Sequence, residues 1–181
     1  MRWIWIDKFI EFDSGRRARA IKNITLAEDH LHDHFPGYPV MPNSLIVEGL
    51  AQTGGLLVGE VNQFQEKVIL AKIPRVEFFF PAVPGDQLTY TATIEHLDEN
   101  GGRVTATSHV GDRLQAEAEI VFVHLRDGER NKRLFEPKNF VFTMKLLGVF
   151  DVGRSRDGGR IAEPPGLAQI KAASNESGLL G

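Results

Sequence analysis

The stretch SLIVEGLAQTGGLLVGE, Ser44 to Glu60, limits what this chain can fold into more than any other. Asn43 or Ser44 is placed to cap a helix that runs to about Gln63. Leu, Ile, Val or Ala stands on every side of that helix, so it reads as buried all round rather than amphipathic. Gly49, Gly54, Gly55 and Gly59 weaken it, each by up to about 1 kcal/mol against Ala. Glycine at this density implies close packing of other backbone on several faces. A sheet wrapped around a central helix supplies that packing.

The flanking sequence supplies the sheet. Ile4–Phe12 and Arg19–Thr25 read as strands, and Val68–Phe80 as a longer strand interrupted at Pro74. Leu88–Leu97, Arg103–Val110 and Leu114–Leu125 alternate with period two and form a meander. The Asn100-Gly101 step and Gly111-Asp112 mark its turns. Ala27–Pro42 reads as loop. Strands, one dominant helix, then antiparallel strands define an α+β fold with one sheet. Such a sheet leaves an edge or face for a partner, so a homodimer is expected.

Charge divides the chain. Residues 1–125 hold 11 Lys and Arg against 17 Asp and Glu, a net of −6, while residues 126–181 hold 10 against 7, a net of +3. We therefore expect a domain over 1–125 and a C-terminal extension over 126–181. Within the extension, Phe140–Phe150 is apolar enough to dock, and 153–181 is expected to be flexible. The acidic balance argues against nucleic acid as a partner. No apolar run reaches the roughly 20 residues of a membrane helix, and the N-terminus does not read as a signal peptide, so a soluble cytoplasmic protein is expected. The absence of cysteine excludes disulfides, thiolate metal sites and a Cys nucleophile.

His30, His32 and His34 crowd one loop with Asp29 and Asp33. The string is one residue short of the H-x-H-x-D-H of metallo-hydrolases, and no later histidine stands in a comparable loop, so no metal is expected. Solvated loop histidines are the favoured reading for His30 and His32. His34 heads a stiff turn, HFPGYPVMP, that is able to hold its ring. Glu48 is the only charge between Asp33 and Glu60 and lies on the helix read as buried. A carboxyl there must be protonated, paired or wet, and burial favours the protonated form a general acid needs. Gln52, one turn on, is placed to hydrogen-bond it. The helix N-terminus beyond the rigid loop offers free N–H groups to a carbonyl oxygen. A base, an acid and an oxyanion donor suit proton abstraction beside a carbonyl with loss of a hydroxyl, a dehydration.

The segment HFPGYPVMPNSLIVEGLAQ closely resembles the signature of the β-hydroxyacyl-acyl-carrier-protein dehydratases of the FabZ type, and FFFPAVPGDQL resembles a second stretch of that family. The resemblance covers about Ile6–Leu125. It implies a hot-dog fold, an antiparallel sheet around one long helix. It also implies a dimer with two interface sites, sometimes a trimer of dimers. Its implied roles fall on His34 as catalytic base, Glu48 as catalytic acid and Gln52 as the acid's support. Val40 supplies a carbonyl that orients the histidine, and Asn43 a main-chain N–H that polarises the thioester. Glu48, where the isomerising FabA type carries Asp, favours plain dehydration. Asn43 replaces the family's usual Gly, and Phe79 and Phe80 replace basic residues. The implied substrate is a 3-hydroxyacyl thioester on an acyl carrier protein. Its own phosphopantetheine arm makes a further cofactor unnecessary. A non-catalytic acyl-binding scaffold and a hot-dog thioesterase are the alternatives.

Overall fold

The computed structural model describes residues 4–64, 66–125 and 137–163. In chain order the elements are β1 (Lys8–Asp13), β2 (Arg17–Asn23), the single turn α1 (His30–Asp33) and α2 (Asn43–Glu60). Then come β3 (Lys67–Phe78), β4 (Gln87–Asp98), β5 (Gly101–Val110), β6 (Arg113–Leu125), α3 (Pro137–Leu146), α4 (Val149–Val152) and β7 (Gly153–Arg154). One sheet takes all seven strands in the order β3-β6-β5-β4-β2-β1-β7, antiparallel except for the short β1–β7 pairing. It curls around α2, which packs against β2, β3, β4, β5 and β6.

The glycines of α2 answer to aromatic rings rather than to backbone. A Cβ on Gly49 would lie 2.5 Å from the Tyr90 ring, and one on Gly54 or Gly55 would lie 3.1 or 3.2 Å from Phe122. Both rings come from the concave face of the sheet, so the glycines let bulky strand residues close on the helix axis. Leu50, Leu57, Leu88, Tyr90 and Ile120 are fully buried around it.

The helix is not buried all round. From Gly49 to Glu60 only Gly55 is more than slightly accessible, but Asn43, Ser44 and Glu48 are exposed. The sheet grips the C-terminal two-thirds of α2 and leaves one face of its first turns open. No side chain caps it: Pro42 precedes the first helical residue, with φ −58° and ψ 129°, and Asn43 lies inside the helix. Pro42 sets the extended entry through its fixed φ.

Pro74 does not interrupt β3. It sits in an edge strand, where a missing N–H costs little, and the register shifts nearby absorb it.

The C-terminal extension meets the other edge of the sheet. Phe9 N–H donates to Leu147 O at 2.8 Å and Ser14 N–H to Arg154 O at 2.8 Å. Met144, Leu147, Val149, Phe150 and Ile161 are buried in the common core, while Phe142 and Leu146 are exposed. The side chains of Phe140 and Val141 lie outside the described residues. The expectation of flexibility from Gly153 fails over 153–163: β7 pairs with β1, Ile161 packs inside, and Arg154 bridges Arg160. Backbone hydrogen bonds to an open edge outweigh the glycines and charges there. Residues 164–181 lie outside the described residues.

Candidate active site

His34 follows α1, whose single buried residue, Leu31, pins the turn to the core. The loop closes on itself through paired Phe35–Tyr38 main-chain bonds of 3.0 and 2.9 Å, and Val40 N–H donates to His34 O at 2.9 Å. Met41 N–H donates to Ala82 O at 2.8 Å and ties the loop to the segment after β3. The His34–Phe35 peptide is cis, and the two rings stack at 4.2 Å.

These constraints aim the His34 ring. Its Nδ1 lies 3.0 Å from Val40 O. A carbonyl only accepts, so Nδ1 carries a proton, and in the neutral ring Nε2 is the nitrogen with the lone pair. Half-buried, His34 lines a groove of about 500 Å³ with Val40, Asn43, Phe78, Phe79 and Phe80 among its walls. The groove thus joins an imidazole, the first residue of an 18-residue helix and an aromatic wall. The wall is braced from β6: Gln115 Nε2 donates to Phe80 O at 2.9 Å, and the Arg113 guanidinium lies 4.0 Å over the Phe80 ring.

Glu48 stands differently from its expected place. It is exposed rather than buried, and it is not among the residues lining the groove that holds His34. Its position on the open face of the first turns of α2 explains both. Gln52 does reach it, with Nε2 donating to Glu48 Oε1 at 2.8 Å, while Trp5 N–H donates to Gln52 Oε1 at 2.8 Å. Within one chain, then, His34, Val40 and Asn43 come together, and Glu48 and Gln52 form a second group.

Among the described residues the buried carboxyl is Glu60, at the far end of α2, which sequence reasoning passed over. Burial pushes it above the ordinary carboxylate range, against the pull of the Ser14 hydroxyl and the Arg156 guanidinium. A polar residue closing an apolar helix gives no sign in the sequence of which side it faces. The role of Trp5 is equally invisible, since it is played by a main-chain N–H.

The three loop histidines go to three different partners. His30 packs edge-on against Trp5 at 5.2 Å and sets Nε2 3.4 Å from Met41 Sδ. It is half-buried, and burial lowers its pKa although Glu28 pulls the other way. It is therefore a packed residue rather than a solvated one. His32 Nε2 meets Leu26 O at 2.9 Å on the surface.

A family model described as the FabA-like domain matches residues 3–122. The chain is 37% identical over 121 residues to a 3-hydroxyacyl-[acyl-carrier-protein] dehydratase FabZ of Pelotomaculum thermopropionicum, covering 66% of this chain and 86% of the relative. It is 40% identical over 117 residues to the FabZ of Koribacter versatilis, covering 64% and 75%. Among solved structures, AziG of S. sahachiroi superposes with a TM-score of 0.56 at 17% identity, over 66% of this chain and 91% of that one. That likeness speaks for the hot-dog fold alone. A signature loop, a matching domain and relatives aligned over most of their own length converge: the chain belongs to the FabA-like family, among its FabZ-type dehydratases.

Proposed function

We propose that the protein dehydrates 3-hydroxyacyl thioesters carried on an acyl carrier protein to trans-2-enoyl thioesters, with His34 as base and Glu48 as acid. The observation that carries this reading is the imidazole whose Nδ1 faces Val40 O, leaving Nε2 free in a groove walled by Phe78, Phe79 and Phe80 beside the start of α2. The names of the FabZ relatives point to the same substrate class.

In the proposed reaction the thioester carbonyl accepts the Asn43 main-chain N–H at the positive end of the α2 dipole. This draws charge from C2 and makes its proton acidic. His34 Nε2 takes that proton, and the imidazolium is held by its Nδ1–H bond to Val40 O. The C2–H electron pair forms the C2=C3 bond, and the C3–O bond breaks. The leaving hydroxyl takes the proton of Glu48 and departs as water. Transfer of the proton from His34 to Glu48 resets the site. Phe78, Phe79 and Phe80 suit an acyl chain, and the substrate brings its own phosphopantetheine arm, so no resident cofactor is invoked.

Glu48 acts, in this proposal, from a second copy of the chain. Two features support that arrangement. Glu48 is exposed and outside the His34 groove of its own chain. The twelve-residue edge strand β3, with Phe79 just beyond it, exposes Leu70, Val76 and Phe79 beside Lys72, Arg75 and Glu77, an unpaired edge of the kind a second copy covers. A cytoplasmic location fits an enzyme of this substrate class. Among the described residues no helix is long and apolar enough to cross a membrane.

The test is to supply 3-hydroxyacyl and 2-enoyl thioesters and to follow enoyl absorbance and free thiol together. Interconversion without thiol release is the expected result. Thiol release would instead make the protein a thioesterase, and neither signal would make it a scaffold.

A further inference from the structure

We propose that the main-chain N–H of Trp5 is a positioning group for Glu48, acting through Gln52, and that it fixes which carboxyl oxygen carries the acid's proton. The inference rests on reading Glu48 as the acid.

An N–H only donates, so the Gln52 atom that meets Trp5 N–H at 2.8 Å is the amide oxygen. That leaves the NH₂ group at the other end, where it meets Glu48 Oε1 at 2.8 Å. Turning the amide over would set NH₂ against the Trp5 N–H and leave donors facing each other around a buried side chain, since Gln52 is only 8% exposed. The amide therefore has one orientation. Glu48 Oε1 always faces a donor, so the carboxyl proton cannot sit there toward Gln52. It sits on Oε2, the oxygen turned away from the amide and available to a leaving hydroxyl.

Trp5 is itself held by the loop that aims the base. Its ring packs edge-on against His30, whose Nε2 lies 3.4 Å from Met41 Sδ. Met41 follows Val40, the residue whose carbonyl holds the His34 ring. The segment before β1 thus links the His34 group and the Glu48 group of one chain, which serve two different sites in the proposed dimer, and a shift of Trp5 moves the acid without touching substrate.

The experiment compares W5P, which removes the N–H, with W5A, which keeps it, each alone and combined with Q52M. Expected is a roughly tenfold loss of kcat for W5P at nearly unchanged KM, the upper end of what one hydrogen bond between neutral groups contributes. W5A loses less, and W5P costs nothing further once Gln52 is methionine. An equal loss from W5P in both backgrounds would make Trp5 a packing residue only and overturn the proposal. A second measurement needs neither proline nor turnover. The Trp5 amide resonance should move on E48Q in the otherwise native chain and stay still on E48Q in the Q52M chain. A Trp5 amide indifferent to E48Q in the native background overturns the proposal. A wild-type protein inert toward every thioester would sink the dehydratase reading, while the amide comparison would still decide the hydrogen-bonded chain.

Discussion

A histidine abstracts a proton only if one ring nitrogen is free, and the decisive bond at the residue scale is His34 Nδ1 to Val40 O. Replacing His34 by Ala, or Glu48 by Gln, is expected to lower dehydration by about 10² to 10⁴ while leaving the fold intact, the usual range for a general acid or base. Circular dichroism and steady-state rates check this, and near wild-type turnover in either variant refutes the assignment. Asn43 offers a contrast. Its proposed role belongs to the main chain, so Asn43→Gly should retain kcat within a few-fold, and a loss as large as that of His34→Ala would assign the role to the side chain instead. The stiff proline loop singled out His34, the lone charge singled out Glu48 with Gln52 one turn on, and the family resemblance added Val40 and Asn43; the structure sets His34, Val40 and Asn43 around one groove and Gln52 against Glu48. The exposure of Glu48 was not legible in the sequence, because hydrophobic pattern reports how apolar a helix is and not which of its turns the sheet reaches. The Trp5 N–H was out of reach in principle, since no side chain carries it.

Among the elements, α2 ties together both ends of the molecule, with the candidate site at its N-terminus and Glu60 at its C-terminus. Glu60 Oε2 is buried without a hydrogen-bond partner. An acid whose pKa is raised by folding binds more protons in the native than in the unfolded state. Its contribution to stability is therefore favourable at low pH and is lost as pH rises from the ordinary carboxylate range through the raised value. Glu60→Gln should remove that slope and leave the protein at least as stable as wild type at neutral pH. A thermal melt series across pH reads this, and an unchanged slope would show that Arg156 and Ser14 already compensate the charge. The extension gives a second test. Phe150 is buried beside β1 in the hydrophobic core cluster, so Phe150→Ala should cost about 3 kcal/mol or more in denaturant unfolding. A cost below about 1 kcal/mol would mean that the extension rests on the sheet without sharing its core. Period-two alternation made β4, β5 and β6 readable almost to the residue. β7 was not readable, because two residues carry no period and their pairing is set by the open edge of β1.

For the whole molecule, one edge of the sheet is occupied by β7 and residues 137–163, and the other, β3, has one strand neighbour among the described residues and exposes Leu70 and Val76 beside Lys72, Arg75 and Glu77. In our proposal a second copy covers β3, while residues 137–163 lie at the opposite edge. This asymmetry also fits the proposal that Glu48 acts from a second copy of the chain. The fold and its central helix followed from the glycine-rich apolar stretch, whereas the division of the site between two surfaces is a property of tertiary placement that spacing along the chain does not encode. The account therefore stands or falls on whether His34 of one chain works with Glu48 of another. The measurement is to unfold inactive His34→Ala and Glu48→Gln chains together in equal amounts, refold them, and assay dehydration of a 3-hydroxyacyl thioester. Random pairing makes half the dimers mixed, each with one intact and one doubly broken site, so about a quarter of wild-type activity should return. Activity no greater than that of the two variants refolded separately would contradict the shared site.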